Sequence, residues 1–261
     1  NPFYEDSDYA LADTHYYGGI KKYQWTAIPL ALHGVFALKD GSVIDVSIGD
    51  KYTGKIITTY VKDIEEPILN ISSISVRLHD ERLDLATWEV KEFYRCLFKN
   101  EPTLERRFIA TSPKGHTLRV HARRQLLPQK ELMQIDYEIY SVNYDGPCSL
   151  LAMLGDNNTC DKNWYPLMNH LDQNQCWLWL QMHDVDIQLC CAMNWQVWHN
   201  NSQIETRPIK IEKPHTIGYS LTLKLKTGDT CKLRKVVAVV DSQHHKKDHL
   251  ISDAIACLTN W

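Results

Sequence analysis

Hydrophobic and polar residues alternate with a period of two over most of the chain, from about residue 28 to residue 240. The alternation is regular in 74–78, 118–122, 185–189 and 219–225, where every second residue is apolar. Successive side chains of a strand point to opposite faces, so this period indicates strands with one face on a core and the other in water. The pattern therefore predicts an all-β, antiparallel two-sheet sandwich with roughly 14 to 16 strands.

Short runs of turn-forming residues separate the apolar stretches. Examples are Asp40-Gly41, Pro113-Lys114-Gly115, Asp145-Gly146 and Gly228-Asp229. Glycine accepts backbone conformations that other residues avoid, while Asp and Pro favour particular positions of tight turns. These turn-forming runs predict hairpins between consecutive strands.

The two ends of the chain depart from the alternation. Residues 1–25 are polar and aromatic and predict an irregular arm, which leaves 26–242 for the sandwich. Near the carboxyl end apolar side chains recur at helical spacing, and Asp241 and Ser242 are suited to cap a helix start. We therefore predict that 243–261 begins a linker helix to a further domain, while the alternative is a helix that only packs on the sandwich.

Composition and charge narrow the classes of function. The 261 residues include 44% hydrophobic residues, enough for a large core, and the formal net charge is −3. This balance gives no attraction for nucleic acid or an anionic membrane, and no apolar run reaches the roughly 20 residues that span a bilayer. The eight cysteines are scattered and form no Cys-x-x-Cys pair, which favours free thiols and a cytoplasmic location, with secretion or a periplasmic location left open.

An ordered series of segments resembles a known family. The segments are 70–85, which ends in Leu-Asp-Leu; 90–97, which holds Tyr-Arg-Cys-Leu; 104–108; 118–124; and 135–147, which ends in Asn-Tyr-Asp-Gly-Pro. In this order they resemble the amino-terminal domain of glycoside hydrolase family 65, which includes maltose, trehalose, kojibiose and nigerose phosphorylases. The first 65 residues depart from the family's pattern, since Tyr16-Tyr17-Gly18-Gly19 matches its glycine-rich opening segment only in part.

The resemblance implies a fold and a role. The family's fold is a large two-sheet super-sandwich related to galactose mutarotase, followed by a linker and an (α/α)6 barrel. That barrel holds the glutamate general acid and the phosphate-binding residues, and neither has a position in this chain. The resemblance therefore implies a non-catalytic domain with no catalytic residue and no cofactor of its own, and with inorganic phosphate as a co-substrate of the parent enzyme. Its implied partners are the barrel of the same polypeptide and a second copy in a homodimer.

One segment is a candidate for the rim of the active site in the parent enzyme. Residues 156–175 are rich in Asn and Asp and have no clear period, and long ordered loops are often functional. Within them, Asp156, Asn157 and Asn158 stand where the family has a loop after a long strand. We predict these three as substrate-rim residues, and the alternative is a plain Asx-turn.

A second function from another class stays open. An autonomous carbohydrate-binding or mutarotase-like sandwich would need a histidine and a glutamate in a cleft, and the candidates are His121 or His183 with Glu138. A metal site is not expected at His244, His245 and His249. No fourth ligand stands at zinc-finger spacing there, and two neighbouring lysines would repel a cation.

Overall fold

The computed structural model describes residues 32–37, 43–48, 71, 73–98, 103–127, 131–155, 164–173, 175–182, 186–205, 207–213, 216–242 and 244–259. Sixteen strands and one α-helix lie within them. The strands are Leu32–Ala37 (β1), Val43–Ile48 (β2), Ile74–Leu78 (β3), Glu81–Arg82 (β4), Glu89–Phe98 (β5), Thr103–Thr111 (β6), Thr117–Leu127 (β7), Leu132–Ser141 (β8), Gly146–Leu154 (β9), Trp164–Leu171 (β10), Gln175–Met182 (β11), Gln188–His199 (β12), Ser202–Gln203 (β13), Ile209–Lys213 (β14), Thr216–Leu225 (β15) and Thr230–Asp241 (β16). The helix is Leu250–Thr259 (α1), and it follows a 3-10 turn at Lys247–His249.

The strands form two main antiparallel sheets. The nine-stranded sheet, called the large sheet below, has the order β10-β11-β12-β16-β8-β7-β6-β5, with the short β13 paired to β12. The five-stranded sheet, called the small sheet, has the order β14-β15-β9-β3-β4, and β1 pairs with β2 in a separate hairpin. This arrangement confirms the all-β antiparallel sandwich. The predicted arm at 1–25 lies outside the described residues. Within the described part of the chain, no helix has the length and apolarity that crossing a bilayer requires.

The alternation predicted from the sequence matches the burial in the structure. Val76 and Leu78 on β3 and Val120 on β7 are at most 2% exposed. Between the sheets, the ring of Trp195 on β12 stacks on that of Tyr219 on β15, with 5.2 Å between the ring centroids. The main core therefore lies between the large and small sheets.

Helix α1 covers a second apolar surface, on the outer face of the large sheet and opposite the small sheet. Its buried residues Leu250, Ala254 and Leu258 contact this surface. The buried sheet residues in this second core are Leu132, Trp177, Cys190, Ala192, Val236, Ala238 and Val240. The helix therefore packs on the sandwich, and its role as a linker remains a prediction.

The predicted helix start at Asp241 and Ser242 is wrong, because the chain forms a turn there instead of a helix. Asp241 ends β16, and its carboxylate accepts a hydrogen bond from the backbone N–H of His244. The Ser242 hydroxyl accepts a hydrogen bond from the Gln188 N–H at 2.9 Å. These contacts hold the chain in a turn, and α1 begins only at Leu250.

One lysine crosses the core between the sheets. Lys235 on β16 is fully buried, and its side-chain nitrogen donates hydrogen bonds to the backbone carbonyls of Ser73 (3.1 Å) and Met153 (2.5 Å). Met153 belongs to β9 of the small sheet, so the side chain ties the two sheets together. Burial lowers the pKa of Lys235 to about 7, because the charged form loses its hydration.

Polar contacts join the sheets at one end of the sandwich. The Glu81 carboxylate on β4 accepts a hydrogen bond from the Ser112 hydroxyl (2.8 Å) and lies 2.8 Å from Nδ1 of His116. In the same turn Lys114 donates to Asp80, and this contact lowers the pKa of Asp80 to about 2. The turn between β6 and β7 is therefore fastened to the small sheet.

Gly218 marks a close approach of β15 to β9, and we expect its replacement to destabilise the small sheet. A Cβ atom at this position would lie 2.1 Å from the Ala152 carbonyl oxygen and 2.7 Å from Met153 Cα. Because both are backbone atoms, neither moves aside without opening the ladder. Gly218→Ala should lower the free energy of unfolding by about 2 kcal/mol in urea denaturation. Lys224→Ala, at an exposed position of the same strand, should change it by less than about 0.5 kcal/mol, and equal losses would contradict the steric explanation.

Candidate functional site

The predicted rim residues Asp156, Asn157 and Asn158 lie outside the described residues. The described chain on either side shows what this segment connects. Strand β9 of the small sheet ends at Leu154, and β10, at the edge of the large sheet, begins at Trp164. The segment therefore links one sheet to the other, and its role at a substrate rim remains a prediction.

The structure places His121 and Glu138 directly opposite each other on neighbouring strands, while His183 lies outside the described residues. The two residues are register partners across β7 and β8, on the outer face of the large sheet. The His121 Nε2 atom lies 3.3 Å from the Glu105 carboxylate, which also pairs with Arg107. The histidine of the proposed pair therefore sits beside a second carboxylate, within a row of charges on the sheet.

The neighbouring part of this outer face carries further paired charges. Arg234 donates two hydrogen bonds to the Asp136 carboxylate (2.6 and 3.2 Å), and Lys232 lies 3.6 Å from it. Burial raises the pKa of Asp136, but these cations outweigh it and hold the pKa below its usual range. Both cations also lie over the ring of Trp198, at 5.6 and 5.9 Å from its centroid. These contacts hold the side chains of Arg234, Lys232 and Asp136 in fixed positions on the outer face.

General acid–base chemistry needs a proton donor and a proton acceptor that both reach one substrate. On this face, charged neighbours already pair with His121 and with Asp136. Within the residues that the structure describes, no group of three or more His, Cys, Asp or Glu side chains is arranged to hold a metal ion. On this face the described His121 and Asp136 side chains are therefore each held by a charged neighbour.

A histidine in the turn before α1 is held between two carboxylates. The Nδ1 atom of His245 lies 2.8 Å from Asp253 on α1, and its Nε2 atom lies 3.0 Å from both oxygens of Glu131. Burial lowers the pKa of His245, but the two carboxylates outweigh it, so the pKa is raised. These two contacts therefore fix the start of the helix to the turn before β8, and they are strongest when the ring is protonated.

We expect this clamp to make the stability depend on pH. Because the folded pKa of His245 is raised, its contribution is fully present below the unfolded value of about 6.5 and is lost as the pH rises through the folded pKa. His245→Ala should lower the free energy of unfolding by about 1 kcal/mol at pH 5.5, after allowance for partial exposure, and by less at pH 8.5. His249→Ala, at an exposed neighbouring position, is the matched control in urea denaturation. A loss from His245→Ala that is the same at both pH values would contradict the clamp.

The structure also contains a cleft that the sequence did not reveal. It has a volume of about 1350 Å3 and lies between the β10–β11 turn, the second half of β12 and the segment after β13. Its polar lining residues are Gln173, Asn194, Gln196, Gln203, Glu205 and Arg207. Because they come from separate turns and strands and follow no period, no local pattern in the sequence marks them as a group.

Comparisons with curated proteins give short local matches. The chain is 44% identical over 92 residues to the "Probable M18 family aminopeptidase 1" of Clostridium acetobutylicum, which covers 35% of this chain and 17% of that protein. It is 53% identical over 58 residues to the protein of the same name from Thermotoga maritima, which covers 22% and 13%. The chain thus spans less than a fifth of the curated relatives that it matches.

Comparison with solved structures identifies the fold of the sandwich. The "Putative kojibiose phosphorylase from human microbiome" overlays with a TM-score of 0.64 and 16% identity, over 75% of this chain and 25% of that one. The family model described as "Glycosyl hydrolase family 65, N-terminal domain" matches residues 65–260. That range holds the large sheet, the small sheet and helix α1, so the chain belongs to glycosyl hydrolase family 65 and carries its N-terminal domain.

Proposed function

We propose that this chain supplies the non-catalytic sandwich of a family 65 enzyme that acts on α-linked glucose disaccharides. The observation that carries the proposal is the family match, which extends over both sheets and α1. The overlay on a kojibiose phosphorylase supports a disaccharide as the substrate of the whole protein. In the proposed enzyme an (α/α)6 barrel of the same polypeptide provides the general acid and binds inorganic phosphate.

The docking of α1 supports a role in holding that barrel. The helix is fixed along its length by three buried residues and at its start by the ion pairs of His245. A helix held in both ways leaves the sandwich in a fixed direction, so a domain that follows it would take a defined orientation. The charged outer face beside α1 would then lie next to the partner domain.

The homodimer is also a proposal, and the edge of the large sheet supports it. Edge strand β10 carries Tyr165, Leu167 and Met168, which are 38%, 40% and 53% exposed. Unpaired strand edges with apolar side chains favour association with another chain. Gel filtration of the chain with and without Leu167→Lys and Met168→Lys tests this, and a monomer in both cases would contradict it.

The enzymatic proposal is tested by comparing this chain with the protein encoded by the complete reading frame. Each is incubated with maltose, trehalose, kojibiose or nigerose, with and without phosphate, while released glucose and glucose phosphate are measured. We expect turnover of one disaccharide by the longer protein only, and its dependence on phosphate would distinguish phosphorolysis from hydrolysis. Turnover by the 261-residue chain alone would contradict a supporting role.

The likeness to an aminopeptidase favours a different family for the residues that precede the family 65 domain. The family match begins at residue 65, and residues 1–65 lack the family's opening pattern. The curated matches of 58 and 50 residues have about the length of that segment, while the match of 92 residues is longer than the 64 residues that precede the family match. We infer that the shorter matches lie in this segment, so the chain would combine pieces of two families.

A single tryptic peptide tests whether both pieces belong to one polypeptide. Cleavage after Lys62 and Arg77 releases residues 63–77, which span the proposed boundary. Mass spectrometry of the source organism should detect this peptide. Detection of peptides on both sides without the spanning one, at matched sensitivity, would contradict a combined chain.

A further inference from the structure

We propose that the cleft beside β12 binds a neutral carbohydrate. The proposal goes beyond the supporting role of the sandwich and does not depend on it, because it rests on the cleft alone. A cavity of about 1350 Å3 is above the usual range of small-ligand sites, which suits an extended, hydroxyl-rich ligand that lies partly in solvent.

The cleft exists because the large sheet has a gap in its hydrogen-bonded ladder. Strand β11 pairs with β12 only as far as Asn194, opposite Gln175. On the same side the β13 segment resumes contact at Val197, whose carbonyl accepts a hydrogen bond from the Ile204 N–H (3.0 Å). Between these points Trp195 and Gln196 have no strand beside them on that side in the described sheet, and the space is open to solvent.

The polar residues of the cleft fit a ligand with many hydroxyl groups. Four are carboxamides, and each offers both donors and acceptors for hydrogen bonds. The hydroxyl groups of a sugar also donate and accept, so paired contacts with an amide use both atoms. Among the described residues, none of these four amides makes a side-chain hydrogen bond to another residue, which leaves them available to a ligand.

Trp195 is also among the residues that line the cleft, and its side chain has an unused donor. Trp195 lines the cleft, is only 4% exposed, and is fixed in place by stacking on Tyr219. Its indole N–H is buried and has no hydrogen-bond partner in the part of the chain that the structure describes. Buried donors are nearly always satisfied, so this N–H is a further candidate for contact with a ligand or an ordered water.

Two other classes of ligand fit less well. The charged lining residues are one carboxylate, Glu205, and one guanidinium, Arg207, so the cleft has no excess positive charge for a phosphate or another anion. A peptide that adds a strand needs a longer unpaired edge than the two residues Trp195 and Gln196. The chemistry of the cleft therefore favours a neutral polyhydroxyl ligand.

Isothermal titration of the whole chain with maltotriose tests the proposal, with inorganic phosphate as the anionic probe. We expect a dissociation constant of about 1 mM for maltotriose and no heat for phosphate. The double variant Gln203→Ala/Glu205→Ala should bind at least about tenfold more weakly. Gln173→Ala on the opposite wall should weaken binding independently. All three residues are exposed, so the fold should be kept, and urea denaturation checks this.

Glu212→Ala removes an exposed carboxylate of β14 outside the cleft and is the matched control. Unchanged binding in this variant, together with the losses above, would support the site. The proposal is overturned if maltotriose gives no heat at about 20 mM, if phosphate binds instead, or if the cleft variants bind as tightly as the original chain. None of these results depends on the reaction of the longer enzyme, so they leave the proposed function to be judged by its own assay.

Discussion

Ala254→Asp is expected to detach helix α1 from the large sheet. Ala254 is fully buried in the middle of the helix face, and Val236 and Ala238 belong to the same apolar cluster. A carboxylate placed there would lose its hydration without gaining a cation, and an unpaired buried charge of this kind costs about 3–5 kcal/mol. We therefore expect urea denaturation to show a loss of about 3 kcal/mol, with reduced helical circular dichroism.

Ala256→Asp provides a matched control, because Ala256 lies on the exposed side of the same helix. It introduces the same charge and the same change in helix propensity, but it should alter the free energy of unfolding by less than about 0.5 kcal/mol. A dye that binds exposed apolar surface should fluoresce more with Ala254→Asp alone, since only that variant uncovers the outer face. Equal losses in both variants would show that burial against the sheet is not the cause.

The second large effect concerns Lys235 and the direction in which pH acts. Its folded pKa is about 7, whereas a lysine in an unfolded chain titrates near 10.4. Between these values the unfolded chain holds one more proton, so the stability contributed by this site rises with pH, by up to about 1.4 kcal/mol per pH unit. From pH 7 to pH 9 the stability of the original chain should therefore rise by about 2 kcal/mol relative to Lys235→Met.

The comparison with Lys235→Met isolates this site, because other titrating groups are common to both proteins and cancel in the difference. The methionine keeps the length of the side chain but cannot donate to the carbonyls of Ser73 and Met153. Lys224→Met, at an exposed position on β15, serves as a control whose difference from the original chain should stay constant over the same range. A constant difference for Lys235→Met as well would mean that the buried lysine keeps its ordinary titration.

Local patterns predicted the strands well, because the apolar–polar alternation that marks a strand is visible in neighbouring residues. The apolar positions of β3, β7 and β15 face the core as their alternation indicated. The burial of Lys235 could also be predicted, since this residue lies on the same side of its strand as the apolar Leu233 and Val237. The alternation at 185–189 predicted a strand that begins too early, because β12 begins only at Gln188.

Features set by distant contacts were not predictable in the same way. The helix was expected too early because Asp241 and Ser242 have the right side chains for a cap. The sequence does not show that Ser242 instead binds the backbone of Gln188. The cleft has the same origin, since its gap depends on where β11 stops and where the segment after β13 returns to β12.

The position of β16 has a consequence for how the domain folds as it is synthesised. It comes last in sequence among the strands that the structure describes, yet it lies between β12 and β8 at the centre of the large sheet. Within the described sheet, β10–β12 on one side and β5–β8 on the other are joined only through it. Until residue 241 leaves the ribosome, each group therefore presents an open edge, and such edges pair readily with other nascent chains. The pairings that close the sheet are long-range and slow, so the growing domain should depend most on chaperones just before β16 emerges.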